Sequence, residues 1–304
     1  MKKIIKASII KIIVGLCAVI SANAQQNPVL STYTYNLMTV NPAYSGYHQT
    51  LDINLEATRT LPQTEGTPQF SSFTINGPLG DKRVGIGGSI LNDKIGVYQN
   101  TEIMASYSYK LFSRNRNSYT SWGFYPKVVS FGIQAGLSHI QEDLLSLGIS
   151  NDPEYAQNIN EYTPTIGAGI FVSQKHFYLG LSAPRIVGSV FTSKNNVELQ
   201  NHYYLQMGYK ALIHQDVFIK PALLVKYVKG APVQFDGNFV FEFYRKVEVG
   251  VGYRSIAGIN FLVGIHLSDK FLLVYHYDTI IDNNQPEIGN SHGLMLNFKP
   301  FNQN

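Results

Sequence analysis

The sequence carries little charge, and its small positive excess lies in one segment. Only 14% of the 304 residues are charged, against roughly 25% in ordinary soluble domains. The formal net charge is +4, and the first 24 residues hold four lysines and no acid, so the rest of the chain is formally neutral. A basic nucleic-acid-binding surface is therefore excluded as the reason for the high isoelectric point.

Cysteine and long apolar runs are also scarce. Cys17 is the only cysteine, and Leu16 before it is not the small residue that a lipoprotein cleavage site requires. Beyond residue 24 no run of about 18 consecutive apolar residues occurs, which is the length that a membrane helix needs. We therefore expect no disulfide, no thiolate metal site and no transmembrane helix in the mature chain.

The first 24 residues have the composition of an export signal. Residues 1–11 are basic, residues 9–20 are apolar apart from Lys11, and Ser21-Ala22-Asn23-Ala24 ends in an A-x-A pattern. This order is typical of a secretory signal peptide and predicts cleavage before Gln25. A retained amphipathic anchor is the alternative interpretation.

Tyrosine, phenylalanine and glycine are abundant, and apolar residues recur with a period of two. The chain contains 20 Tyr, 17 Phe and 26 Gly. In 247–253, for example, Val247, Val249 and Val251 alternate with polar or small residues. Such alternation predicts strands with two different faces. The predicted strands lie near 50–60, 69–77, 82–92, 100–112, 122–139, 163–173, 175–182, 201–211, 215–227, 233–243, 246–254, 257–267, 271–278 and 291–299.

These segments predict an all-β protein, a transmembrane antiparallel outer-membrane β-barrel of about 14 strands. Most are long enough for a tilted membrane strand of about 9–11 residues, and short connections alternate with longer ones at 140–162 and 183–200. A soluble β-sandwich is the alternative, but its outer face should be rich in Lys and Glu. The expected organisation is a cleaved signal peptide over 1–24, a periplasmic or lumen-facing segment over 25–49, and one barrel domain over 50–304.

Candidate chemical sites in the strands have simpler structural interpretations. Gly85, Gly87 and Gly88 lack the third glycine and the helix of a nucleotide-binding loop, so close packing is favoured. A Ser-His-Asp hydrolase built on Ser291 and Asp278 is an alternative to hydrogen bonding in the lumen, but no nucleophile elbow is present. Charged residues expected to face the lumen on neighbouring strands are Lys210, Lys220, Lys226, Lys246, Glu242, Glu248, His266 and His276.

Several short strings point to a known family. They include Asn41-Pro42-Ala43-Tyr44-Ser45-Gly46, the run 83–96 that ends in Asp93-Lys94-Ile95-Gly96, and Gly252-Tyr253-Arg254. Tyr275-His276-Tyr277-Asp278 and Ser291-His292-Gly293 follow near the C-terminus. Together they resemble the PorP/SprF family of type IX secretion outer-membrane proteins of the Bacteroidota, over essentially the whole mature chain. Two strings depart from the family pattern, namely Arg59-Thr60-Leu61-Pro62 and Gly293.

The resemblance implies a function that composition and periodicity do not reach. It implies an outer-membrane barrel, linked to type IX secretion or gliding motility, that binds the C-terminal domain of a secreted surface adhesin. Such a barrel would aid secretion of the adhesin or anchor it at the cell surface. Other type IX or gliding components and outer-membrane lipid are further expected partners, and nucleic acid is not one. A passive channel or lipophilic-solute transporter is the alternative function, and a barrel enzyme is a third.

No catalytic residue, cofactor or metal ligand is predicted. The family-motif residues, with a structural or partner-binding role, are Asn41, Pro42, Ala43, Tyr44, Gly46, Asp93, Gly96, Tyr253, Arg254, Tyr277, Asp278, Ser291 and His292.

Overall fold

A computed structural model describes most of the chain beyond residue 30. The described residues are 31–48, 50–61, 66–80, 82–112, 128–149, 152, 155–186, 201–255, 258–280 and 289–300. No helix within these ranges is both long and apolar enough to cross a membrane. The predicted signal peptide lies outside the described residues and stays a prediction.

Antiparallel strands form one closed sheet in the described part of the chain. Neighbours in sequence are neighbours in the sheet, β1 pairs with β15, and β10 pairs with β11. The segments are β1 (Asp52–Leu61), β2 (Gln69–Leu79), β3 (Val84–Ile95), β4 (Tyr98–Phe112), β5 (Val128–Glu142), β6 (Ile159–Gln174), β7 (Phe177–Arg185), β8 (His202–Tyr209), β9 (Ala211–His214), β10 (Val217–Val228), β11 (Gln234–Phe243), β12 (Val247–Arg254), β13 (Gly258–Ser268), β14 (Phe271–Ile280) and β15 (Asn290–Phe298).

The predicted barrel of about 14 strands is confirmed. Segments β8 and β9 both pair with β10 and are two parts of one barrel strand interrupted at Lys210, so the closed sheet has 14 strands. The predicted connection at 140–162 is too long, because β5 continues to Glu142 and β6 already begins at Ile159. Polar residues at these strand ends weaken the alternation while the backbone ladder goes on.

The two faces of the sheet are the reverse of those in a soluble protein. On β12 the side chains of Val249, Val251 and Tyr253 are exposed on the outside, whereas Glu248 and Arg254 are buried on the inside. The same alternation runs around the described wall, with Phe and Leu outward and Ser, Thr, Asn and charged residues inward. An apolar outer wall around a polar interior is the arrangement of a barrel whose surrounding solvent is lipid.

Connection lengths distinguish the two ends of the barrel. Turns of two to four residues at 80–83, 175–176, 215–216, 244–246 and 269–270 lie at one end, which we call the turn end, and the connection 113–127 at this end is the long exception. Lys175 and Asp216 have φ of 50° and 57° there, as tight hairpin turns require. The longer connections at 62–68, 143–158, 186–201 and 281–289 join strands at the other end, the loop end, together with shorter ones at 96–97, 229–233 and 255–257. Short turns face the periplasm in outer-membrane barrels, so the loop end faces the cell exterior.

Candidate functional site: a plug inside the barrel

Residues 31–48 lie inside the barrel, and we call this segment the plug. It contains two single turns of 3₁₀-helix, Leu37–Thr39 and Pro42–Tyr44, and many of its side chains are almost fully buried. Its apolar residues pack with inward-facing wall residues in one cluster, formed by Tyr33, Leu37, Met38, Val40, Ala43, Tyr44, Tyr47, Phe70, Leu91, Phe171, Tyr178, Tyr204 and Leu224. The plug therefore provides much of the apolar core inside the barrel, beside a smaller inward-facing cluster formed by Val240, Leu262, Leu272, Val274 and Met295.

The Asn-Pro-Ala-Tyr string forms the second turn of the plug. The Asn41 side chain accepts a hydrogen bond from Ala43 N at 2.9 Å and donates one to the Ile170 carbonyl at 3.1 Å. Asparagine is a preferred N-cap, and proline fits the first helical position because its missing N–H needs no partner there. Tyr44 is buried in the plug cluster and does not face the membrane.

Close approach between plug and wall explains glycines at inward positions. A Cβ on Gly85 would overlap the Ser45 carbonyl, one on Gly132 would overlap Ala43 N, and one on Gly169 would overlap the Asn41 side chain. Gly46 itself has φ of 64°, and a Cβ there would lie 2.7 Å from the Gly77 carbonyl. The lumen wall is thus shaped to the backbone of the plug.

Serine hydroxyls on the wall complete this fit. Ser108, Ser130 and Ser182 donate hydrogen bonds to plug carbonyls of residues 45, 43 and 40 at 2.6, 2.7 and 2.6 Å. Ser45 and Ser106 share a hydrogen bond of 2.7 Å between their hydroxyl oxygens. Because these partners come from β4, β5 and β7, the plug is held by several strands at once.

Replacing Gly132 by alanine should disturb the plug without touching the outer wall. The added methyl meets plug backbone, which cannot move aside as a flexible side chain can, so we expect a loss of about 1–3 kcal/mol in unfolding free energy. The matched control is Gly237→Ala on β11, where a Cβ meets nothing within 4 Å. Urea titration of both variants in detergent or vesicles measures the difference, and equal stability would contradict the packing described here.

A charge cluster near the loop end binds the start of the plug. Asp236 pairs with Lys226 at 2.7 Å and with Arg254 at 3.2 Å. Arg254 donates to Ser31 Oγ at 3.1 Å, and Ser31 donates to Asp278 Oδ1 at 2.6 Å. Lys226, Asp236 and Arg254 lie on the consecutive strands β10, β11 and β12. The family-motif residues Arg254 and Asp278 both contact the plug residue Ser31.

The triad needed for hydrolysis by Ser291 is not assembled. His276 Nδ1 lies 2.8 Å from Asp278 Oδ2, but its Nε2 lies 3.1 Å from Thr58 Oγ1. Ser291 instead shares a hydrogen bond of 2.9 Å with Thr60. The His276 ring also fills the space that a Cβ on residue 293 would need, which accounts for glycine at that position.

A cavity of about 590 Å³ lies between the plug and the turn end. Tyr44, Tyr47, Phe171 and Tyr178 line one side of it, with successive ring centroids 5.0–5.6 Å apart. The opposite side is a network of opposite charges built by Lys210, Lys220, Glu242, Glu248 and His266.

The plug contacts this charge network through Tyr35. Tyr35 donates a hydrogen bond of 2.9 Å to Glu248, which is also 2.6 Å from Lys220. Burial, followed by the negative charge of Glu248, raises the pKa of Tyr35, so the phenol stays a donor at neutral pH. Burial and the Lys299 ammonium lower the pKa of His48, whose ring is therefore neutral at pH 7.

The remaining predicted residues are spread over the wall. Asp93 points inward near the loop end, and Gly96 has φ of 60° in the turn between β3 and β4. Tyr253 and Tyr277 point outward, as does His292, which hydrogen-bonds Tyr275 and lies 4.9 Å from the Tyr277 ring. Lys246, expected in the lumen, lies in an exposed turn instead. No group of metal-binding side chains occurs among the described residues.

The sequence predicted a periplasmic or lumen-facing segment over 25–49, but it did not predict the wall partners of Ser31, Tyr33 and Tyr35. These three residues lie before the first strand in a stretch without periodicity, and their partners are 203–247 residues away along the chain. One signal was available, because small residues recur at inward positions of β3 to β7. Only the three-dimensional arrangement shows what fills that space.

The fold defines the class of protein, a closed outer-membrane β-barrel with its own chain inside. The profile of the family described as type IX secretion system membrane protein PorP/SprF matches residues 22–298. The chain therefore belongs to the PorP/SprF family. No protein with a curated description matches the sequence.

The first of three similar solved structures supports the fold alone. The Acinetobacter baumannii outer-membrane protein Omp33 shares 7% identity, covers 84% of this chain and 100% of its own, and gives a TM-score of 0.50. KdgM porin shares 12% identity over 83% of this chain and 99% of its own, with a TM-score of 0.37. The TodX monoaromatic hydrocarbon channel mutant shares 8% identity, covers 86% of this chain and 92% of its own, and gives a TM-score of 0.44.

Proposed function

We propose that this barrel is a non-enzymatic docking protein of the type IX secretion system. In this proposal it binds the C-terminal domain of a secreted surface adhesin, and thereby aids secretion of the adhesin or holds it at the cell surface. The family supplies the link to type IX secretion. The observation that favours docking over passive transport is the plug, whose buried apolar residues occupy the lumen.

Two structural features support a docking role. The plug is hydrogen-bonded to several strands, so it is held at a fixed place inside the lumen. A rigid barrel also positions its connections for recognition, and binding residues are commonly carried on loops held by such scaffolds. The connections at 143–158 and 186–201, both at the loop end, are the proposed source of specificity.

Recovery of the partner from native membranes tests the proposal. An affinity tag inserted after Gly230, in an exposed turn at the loop end, leaves the strands unchanged. We expect mild-detergent purification to enrich a large secreted protein bearing a type IX C-terminal domain. The same tag on a porin from that membrane is the control, and recovery of no such protein from the tagged barrel would exclude the docking role.

A further inference from the structure

The lipid-facing wall carries an isolated pair of cations near the loop end. Among the described strands, the only lysine and arginine side chains that point outward are Arg59 on β1 and Lys94 on β3, and no aspartate or glutamate does. Arg185, at the end of β7, turns inward to Glu102 at 3.1 Å through a shift in register. The outward charges of the described strands are thus all positive and confined to one place.

The barrel register brings these two cations together. Arg59 is opposite Gln69 on β2, and Gln69 is opposite Lys94. With about 4.8 Å between neighbouring strands, the Cα atoms of the two cations are about 10 Å apart. His292 lies opposite Arg59 on the other side, on β15. The four side chains form a lateral row, which we call the cationic row.

Neither cation has a partner within the described residues. Both side chains are exposed, and neither makes an ion pair or a hydrogen bond there. This contrasts with cations of the lumen such as Lys226, which is 2.7 Å from Asp236. An outward Arg or Lys is costly at the middle of a bilayer and costs little near the interface, so the row is suited to the headgroup level.

The surroundings of the row place it at the edge of the apolar wall. Toward the turn end, the next outward residues on these strands are Ala57, Ser71 and Asn92, and the apolar Leu55, Phe73 and Ile90 follow them. Toward the loop end, the strands finish within two residues of Arg59 and Lys94. Tyr275 and Tyr277 lie beside His292, as aromatic residues do at membrane interfaces. The apolar wall and the tyrosines therefore mark the boundary of the outer leaflet.

We propose that the cationic row binds the phosphate-bearing headgroup of an outer-leaflet lipid, as found in lipopolysaccharide. The planar Arg59 guanidinium matches two phosphate oxygens, and Lys94 supplies a second positive charge for the same or a neighbouring phosphate. Gln69 lies between them with an amide donor. The acyl chains would lie along the apolar wall below the row, so one lipid contacts both the charged and the apolar surface.

Titration of the purified full-length barrel with phosphorylated lipid A tests this site. We expect Arg59→Gln with Lys94→Gln to weaken binding at least about ten-fold, since charge-assisted hydrogen bonds to phosphate are lost. The matched control removes two cations at the turn end, Lys175→Gln with Lys270→Gln, and should leave the affinity unchanged. Heat-dependent gel migration confirms that each variant is folded, and Lys94→Gln alone, with a smaller loss, serves if the double variant does not fold.

Two further probes identify the chemistry. Lipid A without phosphates should bind all variants equally and weakly, and inorganic phosphate in excess should not displace phosphorylated lipid A. Equal affinity of the parent and the double variant for phosphorylated lipid A would overturn the proposal. Displacement by inorganic phosphate would show that the lipid is not the ligand. An equal loss of affinity in the turn-end control would show that net charge, and not the cationic row, determines binding.

Discussion

Removal of residues 31–48 should convert the barrel into an ion-conducting pore. A barrel of 14 strands is wider than the eight-stranded barrels that side chains alone can fill, and porins of 16–18 strands conduct through an aqueous lumen. The plug contributes buried side chains such as Leu37, Val40 and Tyr44, so its removal empties the space that they fill in the lumen. In planar bilayers we expect no steady conductance from the parent and stable conductance steps from the deletion variant.

A tethered variant provides the control for the deletion. Ser45→Cys with Ser106→Cys joins plug to wall where the hydroxyl oxygens are 2.7 Å apart, and Cys17 is the only other cysteine of the chain. The oxidised variant should be silent in the same assay. If the parent conducts steadily and the tethered variant does so too, the plug does not close the lumen.

Asp236→Asn should destabilise the barrel strongly, by about 3–5 kcal/mol, because it leaves buried Lys226 and Arg254 without their shared carboxylate. Both pairs are almost completely buried, with side-chain exposures of 2% for Asp236 and 3% for Lys226. Asparagine has the same shape, so the change isolates the charge. The loss is measured as a shift in the urea midpoint for unfolding from vesicles.

An exposed aspartate supplies the control for that substitution. Asp216→Asn changes the same chemical group in a turn with φ of 57°, a conformation that asparagine tolerates well. Its unfolding midpoint should stay within experimental error of the parent. If both substitutions had the same small effect, the charge cluster would not contribute to holding the plug and wall together.

The period of two was enough to predict the barrel because each strand faces lipid on one side. That constraint acts on every residue of a strand, so the alternation is visible within a short stretch of sequence, as in Val247, Val249 and Val251 on β12. The prediction of strands from this alternation fails where the strands leave the membrane. The ends of β5 and β6 carry Gln141 and Asn160, whose polarity resembles a loop although their backbones remain paired.

A lumen-facing segment over 25–49 was one of two expectations, but the contacts of the plug and the cationic row could not be predicted in this way, because both depend on which distant strands are neighbours. Asn41 was expected to have a structural or partner-binding role, but its partner Ile170 lies 129 residues away along the chain. Arg59 and His292 become neighbours only because β1 closes the sheet against β15. Closure is a property of the whole chain, and no short string of residues encodes it.

Disulfide formation between the plug and the wall in native outer membranes tests the central claim most directly. The account predicts that Ser45→Cys with Ser106→Cys forms an internal disulfide almost completely on mild oxidation, because the two positions are in contact. Ser45→Cys with Ser71→Cys is the comparison, since Ser71 points outward on β2 and should not react. Free thiols that remain at positions 45 and 106, or equal cross-linking in both pairs, would contradict a plug inside the barrel.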